Sequence, residues 1–341
     1  MSRNYIEQLI DERQIPGAVL YISKNNETKC FQSYGSFIDR YNLRQPITTK
    51  TIFDVASLTK IIATLPSLLL LAAKNELHLE DTLHSFLPQF NNREITIHQL
   101  LEHTSGLPAD LPARERMEKT DILEEIFTTE LAYTPGTATL YSDLGMILLG
   151  KVVEKVTGQK LNEFTKEHIF KPWGLSETTY LLPNIKKQLA ASTEWYKNNY
   201  IQGDVHDEKA FHLNGVSGSA GLFSTAKDVA KYASYWLNPE KQDLIPPYLM
   251  RSAILHRQNN RGLGFEVWSG QGDSLSIGDL WPAGSFGHTG FTGTSVWICP
   301  SAQLIVVFLT NAVHFGRQTK IRTIRKKLHS LIYDTYVSPI S

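Results

Sequence analysis

Text that reads as strand lies at both ends of this chain, and text that reads as helix fills its middle. That order constrains the fold more than any single residue. Asn4 to Arg13 has the spacing of a short amphipathic helix, ended by Pro16-Gly17. Ala18 to Ile22 is an apolar run of strand length, Lys24-Asn25-Asn26 offers a turn, and Thr28 to Tyr34 reads as a second strand. Ser57 to Lys74 reads as one buried helix. From about Leu83 to Lys197 helical text dominates. Its clearest stripe is Leu144, Ile147, Leu148, Val152 and Val156, stopped at Gly158. After a further helix over Thr225 to Trp236, strand text returns at Gly264 to Trp268, Thr294 to Ile298 and Leu304 to Leu309, and Gln318 to Tyr333 closes the chain as a helix. The expected fold class is therefore α/β of the α+β kind: an antiparallel sheet formed by N- and C-terminal segments, flanked by helices, with an all-helical insertion. The expected division gives residues 1–82 and 205–341 to the sheet unit and 83–204 to a mostly helical insertion, with a cleft where the two meet.

Composition excludes several classes. With 42% hydrophobic and 20% charged residues the chain can bury a large core and is not disordered. Its 34 basic and 34 acidic residues cancel, so nothing points to nucleic acid or an anionic membrane as partner. Cys30 and Cys299 both lie in strand-like text and read as buried free thiols. The greasiest run, Ile61 to Ala73, is too short to span a bilayer, and Met1 to Gln8 has no apolar leader, so the expected location is cytoplasmic.

Chemistry enters at Ser57-Leu-Thr-Lys60. On a helix, residues i and i+3 share a face, so the lysine amine can reach the serine hydroxyl. A desolvated lysine loses charge and can take the serine proton. The chain holds a second match, Ser224-Thr225-Ala226-Lys227, whose flanks read as a capped helix start. Two later phrases offer what a serine nucleophile needs. Tyr141-Ser142-Asp143 follows a Pro-Gly break and opens a helix. Tyr141 there is either a half-buried loop tyrosine or a general base whose pKa nearby cations lower. Gly287-His288-Thr289-Gly290-Phe291-Thr292-Gly293 precedes a strand. It is either a glycine-rich run into that strand or a site where the Phe291 amide meets an oxyanion and His288 adds a donor or partial positive charge. His98, Glu102 and His103 lack the spacing of a helical zinc motif, and no metal or cofactor is expected.

In this order the three phrases resemble those of the serine β-lactamase and penicillin-binding-protein superfamily, and more narrowly its class C-like branch, which includes esterases, DD-peptidases and D-aminopeptidases. Leu100-Leu101-Glu102-His103-Thr104-Ser105-Gly106-Leu107-Pro108, Val205-His206-Asp207 and Gly218-Ser219-Ala220-Gly221-Leu222-Phe223-Ser224-Thr225 strengthen the likeness, which runs over roughly residues 5 to 315. It implies a β-lactamase/transpeptidase-like fold. It also implies an acyl-enzyme on Ser57, with Lys60 sharing the proton, Tyr141 as base and then acid, and the Ser57 and Phe291 amides as oxyanion hole. Asp143, His288, Thr289 and Gly290 would complete the substrate site. Asp143 stands where relatives carry asparagine, and His288 where many carry lysine. Both departures weaken carboxylate recognition and fit an esterase or small amidase on a neutral or cationic substrate. The alternatives are a D-Ala-D-Ala carboxypeptidase, a penicillin-binding protein or weak β-lactamase, and a non-catalytic binding protein on the same fold. Asp143 is also placed to pair with Lys60 and hold it charged. The expected partner is a small-molecule or peptide substrate, with the oligomeric state open.

Overall fold

The computed structural model describes residues 2–112, 116, 120–273 and 276–337. Among these the strands are β1 (Gly17–Lys24), β2 (Glu27–Ile38), β3 (Arg44–Pro46), β4 (Phe53–Asp54), β5 (Trp195–Tyr196), β6 (Asn199–Tyr200), β7 (Phe223–Ser224), β8 (Glu266–Val267), β9 (Phe286–Thr289), β10 (Ser295–Cys299) and β11 (Leu304–Thr310). Seven of them form one antiparallel sheet in the order β3-β2-β1-β11-β10-β9-β8. The chain ends meet at its centre, where Val19 faces Leu309 across β1 and β11. Asn25 and Asn26 take positive φ in the tight turn from β1 to β2, a conformation that asparagine tolerates.

Both faces of this sheet are covered, which is why β11 reads as an unbroken apolar run instead of an alternation. Leu304, Val306 and Phe308 face the terminal helices Ser2–Asp11 and Ile321–Tyr336, through Ile6, Leu9, Leu328 and Ile332. Ile305, Val307 and Leu309 face the other way, toward helix Ala226–Leu237 and the larger core. Burying each large apolar side chain contributes roughly 1.5–3 kcal/mol, so the central strands are the least replaceable part of the sheet.

Helices dominate 83–204, though β5 and β6 form a short hairpin within that span. The stripe read from the sequence forms helix Asp143–Thr157, closed by Gly158 in the left-handed conformation. The helix expected over Ser57 to Lys74 differs in detail. Lys60–Thr64 is a π-turn, and the α-helix proper is Leu65–Ala73. Pro66 has no N–H to give to the preceding turn, and the Thr64 hydroxyl is drawn to the Gly218 carbonyl at 2.7 Å. Both features favour the wider turn at this point. No helix among the described residues is long and apolar enough to cross a membrane. Cys30 and Cys299 are free.

Candidate functional site

The sheet delivers one wall of a cleft of about 380 Å³, and the segments around Ser57 and Tyr141 deliver the others. Ser57 sits one turn ahead of the π-turn, following Ala56, which is held at φ 46°. A positive φ at alanine is strained, and the surroundings fix it. Asp54 Oδ1 accepts the Ala56 N–H at 2.8 Å, and the Ala56 carbonyl accepts from the Thr59 hydroxyl at 2.6 Å. Asp54 is buried and its other oxygen accepts the His206 N–H at 2.7 Å. This carboxylate therefore ties the serine turn to the loop bearing His206 and Asp207.

Lys60 is fully buried. Its ammonium lies 2.9 Å from Ser57 Oγ, 2.8 Å from the Ser219 carbonyl and 2.7 Å from Asp143 Oδ1. Two N–H groups are hydrogen-bonded and a carboxylate lies beside the ammonium as an ion pair, the arrangement of a charged lysine. Burial pushes the Lys60 pKa down, but Asp143 and Tyr141 outweigh it, and the net shift is up. The expectation that burial discharges this lysine is reversed by its carboxylate partner. The pairing of Asp143 with Lys60 is the alternative that the geometry adopts.

Asp143 opens its helix, with Ser142 as N-cap, where the helix dipole favours a negative group. Burial raises its pKa, Lys60 and Lys209 lower it, and the net shift is down. Tyr141, one residue before the cap, lies with its ring centroid 5.0 Å from the Lys60 ammonium, and its hydroxyl interacts with both Lys60 and Ser57. Its pKa is raised, because burial outweighs Lys60, so the lowered value expected from nearby cations is not found in the resting site.

His103, in the phrase Leu100 to Pro108, seats this tyrosine. Its Nδ1 accepts the Ser142 N–H at 3.1 Å, its carbonyl accepts the Leu140 N–H at 2.9 Å, and its ring lies 4.6 Å from that of Tyr141.

The phrase Gly287 to Gly293 does not merely precede a strand. Its first half is β9, paired to β10 with His288 opposite Val296. The outer side of β9 pairs with β8 only as far as Gly287, so the next residues face the cleft instead of a neighbouring strand. Gly290 has a steric reason. A Cβ there would come within 2.5 Å of the Val55 carbonyl. Thr292 and Thr294 then donate to the Asp54 and Val55 carbonyls at 2.8 and 3.1 Å, stitching the phrase to the serine turn. Neither the Ser57 nor the Phe291 N–H donates to an acceptor among the described residues. The exposed Phe291 ring stacks on His206, 5.7 Å between centroids, and His206 is held by Glu194 at 3.0 Å.

His288 departs from expectation. Its Nδ1 lies 2.7 Å from the Thr289 carbonyl, so that nitrogen carries the proton and Nε2 is left as a buried acceptor without a partner. Burial, Lys60 and Arg261 push its pKa down to about 3. The residue is neutral and cannot supply the positive charge considered for it.

The missing cations stand elsewhere. Arg261 lines the cleft with its guanidinium 5.2 Å from the Tyr141 ring centroid, and its Nη1 is buried without a hydrogen-bond partner among the described residues. Lys209 lines it beside Asp143, Asp207 and Asp110. Sequence reasoning named neither. Lys209 lies two residues beyond Val205-His206-Asp207, a signal that could have been followed. Arg261 lies in loop text with no pattern to find it by. No cluster of side chains suited to a metal ion occurs among the described residues.

The chain is similar to known proteins over nearly its whole length. The family model described as beta-lactamase matches residues 3–329. An Escherichia coli K12 protein provisionally named D-alanyl-D-alanine carboxypeptidase is 32% identical, over 91% of this chain and 81% of its own. A Bacillus subtilis protein named N-acetylmuramyl-L-alanine amidase is also 32% identical, over 91% and 80%. Among solved structures, EstCE1, a hydrolase with promiscuous acyltransferase activity, aligns with a TM-score of 0.78 at 22% identity, covering 96% of this chain and 97% of that one. A class C beta-lactamase from Rhodobacter sphaeroides aligns at 0.75 and 19% identity, covering 98% and 99%.

Proposed function

The chain belongs to the beta-lactamase family and is a serine acyl hydrolase, and from that premise we propose that it hydrolyses an amide of a cell-wall-derived substrate bearing a carboxylate, through an acyl-enzyme on Ser57. The observation that carries the nucleophile is the buried Lys60 ammonium, which lies between Ser57 Oγ at 2.9 Å and Asp143 Oδ1 at 2.7 Å. The observation that supports the substrate class is Arg261, a cation in the same cleft whose buried Nη1 has no hydrogen-bond partner among the described residues. The two curated relatives described above carry names that denote amide hydrolysis.

The chemistry follows from the proton affinities. Lys60, kept charged by Asp143, does not serve as the base. Tyr141 rests as a neutral phenol, and the phenolate is its minor, reactive form, made accessible by the ammonium beside it. The phenolate takes the proton as Ser57 Oγ attacks the acyl carbon, and the phenol returns it to the departing amine. In the second half the Tyr141 phenolate takes a proton from water as the hydroxide attacks the acyl-enzyme, and the phenol gives that proton to Ser57 Oγ as the acyl–oxygen bond breaks. The N–H groups of Ser57 and Phe291 receive the oxyanion. Arg261, and not residue 288, meets the substrate carboxylate, so the departures at 143 and 288 do not exclude anionic substrates. The neutral acceptor of His288 favours one further reading, turnover of uncharged esters, because it offers nothing to an anion and does not repel a neutral acyl group.

The test is a panel of N-acetylmuramyl-L-alanine, a D-Ala-D-Ala peptide, p-nitrophenyl acetate and nitrocefin, with Ser57→Ala and Arg261→Gln beside wild type. Amide turnover that vanishes in Ser57→Ala is expected. In Arg261→Gln, KM should rise about 10- to 100-fold for the carboxylate-bearing amides and stay within about twofold for the acetate ester. Ester turnover alone, indifferent to Arg261, would replace the amidase reading with the esterase one.

A further inference from the structure

Asp143 is asked to hold two lysines. Its Oδ1 lies 2.7 Å from the Lys60 ammonium and its Oδ2 3.4 Å from that of Lys209. Lys209 is itself buried, on the short helix Glu208–His212 that Asp207 caps. Its ammonium also lies 2.8 Å from Asp110 Oδ1 and 3.4 Å from Asp207 Oδ2. A carboxylate can meet one ammonium on each oxygen. An asparagine has a single oxygen and would turn its NH₂ toward one of the two cations.

We propose that Lys209 is a positioning residue for the Ser57 site: it fixes the Asp143 carboxylate so that one oxygen faces Lys60, and it supplies the charge that makes aspartate, not asparagine, the fitting residue at 143. The proposal rests on the Ser57–Lys60 nucleophile put forward above. It concerns how that site is held and not which substrate enters it.

The charges facing Lys209 are Asp110, Asp143 and Asp207, with Glu208, His212 and Arg317 lining the adjoining cavity and Lys60 beyond Asp143. Burial lowers the Lys209 pKa, but Asp207, Asp143 and Asp110 outweigh it and drive it up. Without Lys209, Asp143 and Asp207 would stand as two half-buried carboxylates with one cation fewer between them. The proton affinity of Asp143 would then rise. Once Asp143 takes a proton its charge no longer orients the Lys60 ammonium toward Ser57, so the acid limb of activity must move to higher pH.

The test is a double-mutant cycle on the full chain: wild type, Lys209→Met, Asp143→Asn, and the double variant, with Lys209→Arg as the conservative control. The readout is the rate of Ser57 labelling by a fluorophosphonate across pH 4 to 9, which needs no knowledge of the substrate. Each single variant is expected to label more slowly by on the order of tenfold or more. The double variant should recover about tenfold over Asp143→Asn, because a lone lysine suits an amide. Lys209→Arg should stay within about threefold of wild type, and the acid limb of Lys209→Met should lie about one pH unit higher. If Lys209→Met does not fold, Lys209→Gln takes its place under the same criteria. Additive losses around the cycle, or an unmoved acid limb, would overturn the proposal while leaving Ser57 as nucleophile. Absence of label on Ser57 in the wild type would overturn the nucleophile and this proposal with it.

Discussion

The chain writes Ser-x-x-Lys twice, and the two copies lie close together, because β4, which leads into Ser57, pairs with β7, which contains Ser224. Their environments are opposite. At the first, the serine is half-buried at a cleft and the lysine is wholly buried against Asp143. At the second, the serine is wholly buried, its hydroxyl shared with Thr178 at 2.9 Å, and Lys227 is exposed. Thr225, between them, caps helix Ala226–Leu237 by accepting the Asp228 N–H. The spacing of serine and lysine is therefore not what makes a nucleophile. What matters is a lysine taken from water and given a carboxylate, beside a serine that substrate can reach.

The largest contrast should come from removing each hydroxyl. Ser57→Ala is expected to lower turnover at least about 1000-fold with the fold intact, since the proposed acyl-enzyme forms on this hydroxyl. Ser224→Ala should cost about 1 kcal/mol of stability, the worth of one buried hydrogen bond, and leave turnover within about twofold. Comparable losses of turnover at both would end the distinction. Next come the lysines. Lys60→Met leaves the half-buried Asp143 beside a neutral neighbour, and turnover should fall about 100-fold or more. Lys227→Met, in solvent, should change neither turnover nor melting temperature measurably.

A smaller effect asks what burial does without a carboxylate partner. His288, His329 and His314 are buried and neutral, held down to about 3, about 3 and about 4, with burial the largest cause in each. Their unfolded values lie near 6.5, so between pH 6.5 and about 4 the unfolded chain binds protons that the folded one refuses. Stability should therefore fall as pH drops through that window. By pH 5 the loss is on the order of 1–2 kcal/mol for each histidine. Urea unfolding at pH 7 and pH 5 measures it, and a flat profile would mean that these rings are protonated in place. Because His288 stays neutral, the turnover profile should carry no limb from it between pH 5 and 8.

Much of this was readable from the chain. The strand runs at both ends are apolar because both faces of the sheet are covered, and a continuous run such as Leu304 to Leu309 is legible without tertiary knowledge. The helix from Asp143 announces itself by its stripe and by Gly158. The three site phrases are legible because each couples a reactive side chain to a backbone peculiarity, such as Gly290 against Val55. Charge state was not legible. Whether Lys60 is neutral or charged depends on Asp143, eighty-three residues on, and whether His288 is a cation depends on Arg261 and on burial. Lys209 and Arg261 were missed for the same reason. A lone cation in a loop has no period or spacing, and only the folded chain brings it to the cleft.

The account turns on Ser57, and the direct measurement is intact-protein mass followed by peptide mapping after incubation with a fluorophosphonate, beside Ser57→Ala and Ser224→Ala. A single adduct on the peptide carrying Ser57, absent from Ser57→Ala and undiminished in Ser224→Ala, is the predicted result. An adduct elsewhere, or equal labelling of Ser57→Ala, would contradict it.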